Sequence, residues 1–100
     1  MNVLFLLFAL TATPQAHLPE DVEAFVVERD ACDHFRGEPT EGDSPEQVER
    51  RAFVKESLEI YCSGTDRRLA ALKRRYSGNA AAMSALGKYE PVIEGPRCGP

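Results

Sequence analysis

One hundred residues leave room for one small domain and exclude a multidomain enzyme, a Rossmann or barrel catalyst and a polytopic membrane protein. The formal charge is −4, with 13 acids against five bases over residues 17–63 and three acids against seven bases over residues 64–100. Hydrophobic residues fill 11 of the first 16 positions but only 32 of the other 84, a lean supply for a core that chains this short often reinforce with a disulfide, a metal or a partner.

Residues 3–10 form an unbroken apolar run. A membrane-spanning helix needs roughly 20 such residues, whereas a signal-peptide core needs about half that. Ala16 supplies a small residue for cleavage before His17, although no Lys or Arg precedes the run and Pro14 stands three positions before the cut. The expected organisation is a signal peptide over 1–16, a single helical domain over 17–94 and an irregular tail over 95–100. The expected location is periplasmic or secreted.

Pro19-Glu20-Asp21 opens a first helix, with acids at the positive end of its dipole. Val22, Phe25, Cys32 and Phe35 follow at helical spacing, interrupted by Arg29. Residues 37–43 read as a loop. Ser44-Pro45-Glu46-Gln47 is a capping box with proline at the first helical position, and the helix it starts runs to about Cys62, where Ser63-Gly64 ends it. Val54, Leu58, Tyr61 and Cys62 share one face of that helix, while Phe53 and Ile60 share another. Two apolar faces predict a central helix packed on both sides.

Thr65-Asp66 is expected to cap a third helix carrying Leu69, Leu72 and Tyr76 inward. Asn79 recaps a fourth, from Ala80 to about Tyr89, with Met83 and Leu86 inward and Pro91 as its boundary. Residues 94–100 read as irregular and mobile. No segment alternates like a strand, so the fold class is all-α, a small bundle of three to four helices.

Cys32, Cys62 and Cys98 are widely spaced, with no C-x-x-C pair, and in an oxidising compartment two of them are expected to pair. Strictly antiparallel helices would hold Cys32 and Cys62 apart and favour Cys62–Cys98. Residues 36–44, however, span about 27 Å when extended, enough to run back along the first helix and bring the two helix ends together. Placement on apolar faces favours Cys32–Cys62, with Cys62–Cys98 as the alternative.

Cys32-Asp33-His34 offers a thiol beside a base, but residues two apart on a helix point about 200° apart and cannot act together. Cys32, Cys62, His17 and His34 lack the close pairing that structural zinc uses, so no metal or other cofactor is expected. No phosphate loop, nucleophile elbow or zincin helix occurs, and no catalytic residue is assigned. The clearest candidate binding surface is the basic third helix, with Arg67, Arg68, Lys73, Arg74 and Arg75. The competing explanation is charge complementarity against acidic helices one and two. The acidic total and the absence of tryptophan argue against a nucleic-acid partner, and a membrane surface is the less favoured target.

Residues 28–38, Glu-Arg-Asp-Ala-Cys-Asp-His-Phe-Arg-Gly-Glu, followed by Cys62-Ser63-Gly64-Thr65-Asp66, Leu69 and Tyr76, resemble a pattern of small exported bacterial proteins of uncharacterised role. That resemblance implies the Cys32–Cys62 pairing and carries no activity. Glu59-x-x-Cys62 and the run from Asp66 through Leu69 to Leu72 are more distantly similar to the lysozyme-inhibitor-like small secreted helical family, though no Trp-x-x-Arg-Asp-x-Cys segment follows. The expected function is therefore a non-enzymatic exported module that binds a partner protein or envelope component. The alternatives are an inhibitor of a cell-wall lytic enzyme and a thiol-active redox protein.

Overall fold

The computed structural model describes residues 17–95; the signal peptide expected over 1–16 and Cys98 in the tail lie outside the described residues. Within them the chain forms four helices and no strand. They are α1 (Glu20–Arg36), α2 (Pro45–Cys62), α3 (Thr65–Arg75) and α4 (Ala80–Leu86). None is long and apolar enough to cross a membrane.

The hub is α1, which touches each of the other three helices. Its first half packs with α3 and α4 around Val22, Phe25, Leu69, Leu72, Ala82 and Leu86, all buried. Leu18, Val26, Tyr76 and Tyr89 close the edges of this core. The three-to-four spacing of Leu69, Leu72 and Tyr76 thus does what it predicts. Helix α4 is shorter than expected and ends at Leu86, with Gly87 as its C-cap. That releases Tyr89 to turn back edge-on against Phe25, ring centroids 5.7 Å apart.

Helix α2 is not the central helix its two apolar faces predict. Val54 and Ser57 are its only buried residues, Leu58, Tyr61 and Cys62 are half-buried, and Phe53 and Ile60 face outward. The second apolar face has no helix to meet, because α3 and α4 both pack on the first half of α1. The capping box forms as read: Gln47 N–H donates to Ser44 Oγ at 3.1 Å, and Ser44 N–H donates to Gln47 Oε1 at 3.0 Å. Gly42 sits at φ +107°, and a side chain there would overlap the Gln47 amide.

Helices α1 and α2 run in opposite senses. From residue 32 to residue 38, the contacts on α2 step back from Cys62, through Tyr61 and Phe53, to Arg50. The linker therefore does not return along α1. It follows α2, with Glu38 paired to Arg50 and with Arg51 donating to the carbonyls of Thr40 and Gly42. The first half of α2 projects past the end of α1, so its last residue reaches back only as far as Cys32. Cys32 and Cys62 are joined, with their Cα atoms 5.0 Å apart.

Candidate functional site

The five basic residues of α3 do not form one patch. Arg68 and Arg75, seven residues apart on the side toward α1, pair with its acids: Arg68 with Glu28 at 2.5 Å and Arg75 with Asp21 at 3.3 Å. Their guanidinium groups also lie 5.4 Å from the ring centroids of Phe25 and Tyr76, which covers apolar surface with cation–π contacts. Lys73 is half-buried and lies roughly 140° round the helix from Arg68. Arg67 and Arg74 remain, both exposed and without an ion pair among the described residues. They stand on one outward stripe, about 10 Å apart along the axis, with Ala70 and Ala71 between them. Two arginines thus serve the complementary rim, and two face solvent.

The densest polar chemistry lies where the sequence shows only an interruption. Arg29 is 1% exposed at the junction of α1, α3 and the segment after α4. Its Nε donates to Asp33 Oδ1 at 3.1 Å, one terminal nitrogen donates to Thr65 Oγ1 at 3.3 Å, and the other donates to the Glu90 carbonyl at 2.9 Å. The guanidinium also lies 5.4 Å from the Tyr89 ring centroid. Arg36 adds a second cation on Asp33 at 2.8 Å. A buried guanidinium is tolerable only when its charge and its donors are matched. Here a carboxylate, a hydroxyl, a carbonyl and a ring face match it.

Residues 90–94 form a strap across the start of α3. Glu94 accepts from the backbone N–H of Gly64 at 3.1 Å and of Asp66 at 2.9 Å, while Asp66 Oδ2 accepts from the N–H of Ile93 and Glu94 at 3.1 and 3.0 Å. This corrects two expectations. Thr65-Asp66 does not cap α3, whose N-cap is Gly64 in the left-handed region at φ +77°, a residue with no side chain to cap with. A carboxylate 28 residues downstream of Asp66 takes those donors instead, where it also meets the positive end of the helix dipole. Glu94 is correspondingly anchored rather than part of a mobile tail.

Two tyrosines clamp the head of the molecule. Tyr76 donates to Asp21 Oδ1 at 2.8 Å, and that bond, with burial, raises its pKa above the ordinary value of 10.0 while Arg75 opposes the shift. Tyr89 donates to Asp30 Oδ1 at 2.8 Å; burial first and that bond second push its pKa up to about 12. Every buried side-chain nitrogen and oxygen among the described residues has a hydrogen-bond partner.

The sulfur and histidine candidates separate as the helical spacing predicts. Cys32 is fully buried and bridged, whereas His34 points outward, 3.5 Å from Glu38 and edge-on to Phe35. No group of three His, Cys, Asp or Glu side chains among the described residues is placed to hold a metal ion. Cys62 lines a shallow notch with Lys55, Leu58, Glu59, Ser63 and Glu94. Sequence reasoning missed Arg29, Tyr89 and the Asp66–Glu94 strap. For Arg29 a signal exists: an arginine inside an apolar stripe with an aspartate four residues later. The strap has no local signature, since its two carboxylates act across the fold. Compared with family models, with curated proteins and with solved structures, the chain matches none.

Proposed function

We propose that this chain is a non-enzymatic exported module that acts by binding a partner protein or an envelope component. The observation that carries this reading is the outward stripe of α3, where Arg67 and Arg74 stand exposed while the neighbouring Arg68 and Arg75 are matched to Glu28 and Asp21. Cations left without an internal partner on a folded, capped helix are available to an acidic surface, and the original five-residue patch narrows to this pair. The Cys32–Cys62 bridge supports an oxidising compartment, where disulfides persist. The fully buried Cys32 sulfur supports a structural bond rather than thiol exchange at that residue, which needs access to the sulfur.

Crosslinking in the exported fraction tests the reading. Partners captured by the wild-type protein are expected to be lost or strongly reduced with Arg67→Glu/Arg74→Glu and retained with Lys73→Glu. Unchanged capture by the double variant removes the surface. A lytic-enzyme inhibitor is one form such a module takes, and unaltered lysozyme turnover at micromolar protein removes that form.

A further inference from the structure

The outward side of the α1–α2 hairpin carries a second, chemically distinct surface. Val27, Ala31 and Phe35 fall on one line of α1 at four-residue spacing, and Phe53 and Ile60, seven apart, fall on one line of α2. The Phe35 and Phe53 rings meet edge-on at 5.6 Å, which joins the two lines at that point, with Val27 continuing the α1 line past the end of α2. Val27, Phe53 and Ile60 remain 70%, 57% and 63% exposed. An apolar strip spanning a helix seam is unusual on so charged a chain and marks an interaction surface.

Beside this strip Arg50, three positions before Phe53, is paired with Glu38, and the charges left without an internal partner have one sign. Each exposed apolar residue has a glutamate four positions earlier on its own helix: Glu23 before Val27, Glu49 before Phe53, Glu56 before Ile60. Residues at that spacing are neighbours on the helix surface. All three glutamates are exposed, and none enters an ion pair among the described residues, although Asp21, Glu28, Asp33, Glu38 and Glu90 all do. These three carboxylates have no internal cation among the described residues and are available to an external one.

We infer that the seam of Val27, Phe35, Phe53 and Ile60, rimmed by Glu23, Glu49 and Glu56, docks a basic amphipathic segment of a partner protein. Complementarity selects this occupant. A second copy offering the same seam would set acid against acid. A second copy offering α3 would supply Arg67 and Arg74, but only Ala70 and Ala71 to cover the aromatic and branched side chains. A segment with apolar residues at helical spacing and lysines or arginines beside them meets both demands. This surface rests on the binding-module reading but uses none of the α3 residues.

The chain contains no tryptophan, so a helical leucine–lysine peptide with one tryptophan reports its own binding by emission. Its blue shift should saturate with the purified protein, while the same peptide with glutamate in place of lysine should not bind. Phe53→Glu and, separately, Glu49→Lys/Glu56→Lys should each weaken binding roughly tenfold or more, and circular dichroism should stay helical because these side chains are exposed. Equal binding of both peptides, binding of neither, or affinity unmoved by the double-lysine variant overturns the inference. So does a dimer of the protein alone that Phe53→Glu dissociates, which makes a second copy the occupant. Partner capture that depends on Arg67 and Arg74 but not on Phe53 leaves the module reading standing and removes this surface alone.

Discussion

The two halves of α1 belong to differently built regions. Its first half joins α3, α4 and the strap in a head whose core comprises Val22, Phe25, Leu69, Leu72, Ala82 and Leu86, locked by side-chain bonds between residues far apart in sequence. Its last turns join α2 in an arm where an 18-residue helix buries only Val54 and Ser57. The arm's polar ties are local, within the capping box and between Arg50, Arg51 and the adjoining loop. Hydrophobic burial at about 25 cal/mol per Å2 can hold the head together, but it gives α2 little. The bridge between Cys32 and Cys62 supplies what packing does not. A lean composition need not thin a core evenly: here the apolar residues concentrate in one region, and a covalent bond ties the other to it.

The sharpest way to break the head is to remove Arg29. Arg29→Met keeps much of the apolar stem but leaves Asp33 without its buried cation, and Thr65 and the Glu90 carbonyl without their donor. Asp33 is 37% exposed and keeps Arg36, so the cost falls on the hydroxyl and the carbonyl, about 1–3 kcal/mol for each polar group left without its partner, a large share of the stability of a small domain. Urea unfolding followed by circular dichroism should show the midpoint collapse, with Arg29→Lys falling between because an ammonium cannot reproduce the guanidinium fork. An unchanged midpoint for Arg29→Met would show that the junction adds nothing to the head.

The arm should fail differently. Cys32→Ala/Cys62→Ala opens a loop whose closure contributes on the order of 3 kcal/mol. Hydrogen exchange should then rise throughout α2 while amides in α3 and the first half of α1 keep most of their protection, since α2 buries only Val54 and Ser57 and segments with little apolar burial open most easily. Equal loss of protection in α3 and α4 would erase the distinction between the two regions and make the bundle one cooperative unit.

These two sites also divide what the sequence made legible from what it concealed. The capping box at Ser44, the Leu69–Leu72–Tyr76 stripe and the burial of Cys32 were readable because each depends on spacing within one element. The place of α2 was not. A second apolar face at Phe53 and Ile60 predicts packing only if something lies opposite, and that depends on where α3 and α4 settle. Arg29 was hidden for a related reason: its partners lie 36 and 61 positions away, so the chain shows a charge breaking a stripe rather than a site that needs one. The α3 surface was half legible. Its charges are evident in the sequence, but which of them are matched depends on the orientation of α1.

Smaller effects refine the picture of the head. Glu94→Ala removes acceptors from Gly64 and Asp66 and should cost about 1 kcal/mol, the usual worth of a lost N-cap. Exchange should rise first at the start of α3 and leave α2 unaffected. Gly64→Ala strains the same turn through the left-handed backbone, at a similar cost of about 1 kcal/mol. A thermal midpoint unmoved by either change would show that the strap lies on the head without holding it.

The mildest test is alkaline pH, and its sign follows from Tyr89. Burial and the bond to Asp30 push this phenol to about 12 in the fold, above the ordinary 10.0. In that interval the unfolded chain has already released the proton while the folded protein keeps it, so the folded state binds more protons and stability falls as pH rises. The contribution is fully present below pH 10 and is lost as pH passes through about 12. Urea midpoints measured from pH 9 upward should decline across that window, and Tyr89→Phe should flatten part of the decline, because phenylalanine keeps the edge-on contact with Phe25 but has no proton to lose. Tyr76, raised in the same direction by its bond to Asp21, should account for a further share, with Tyr76→Phe flattening the curve again. Both phenols belong to the head, so exchange at high pH should quicken there before the stapled arm releases from α1.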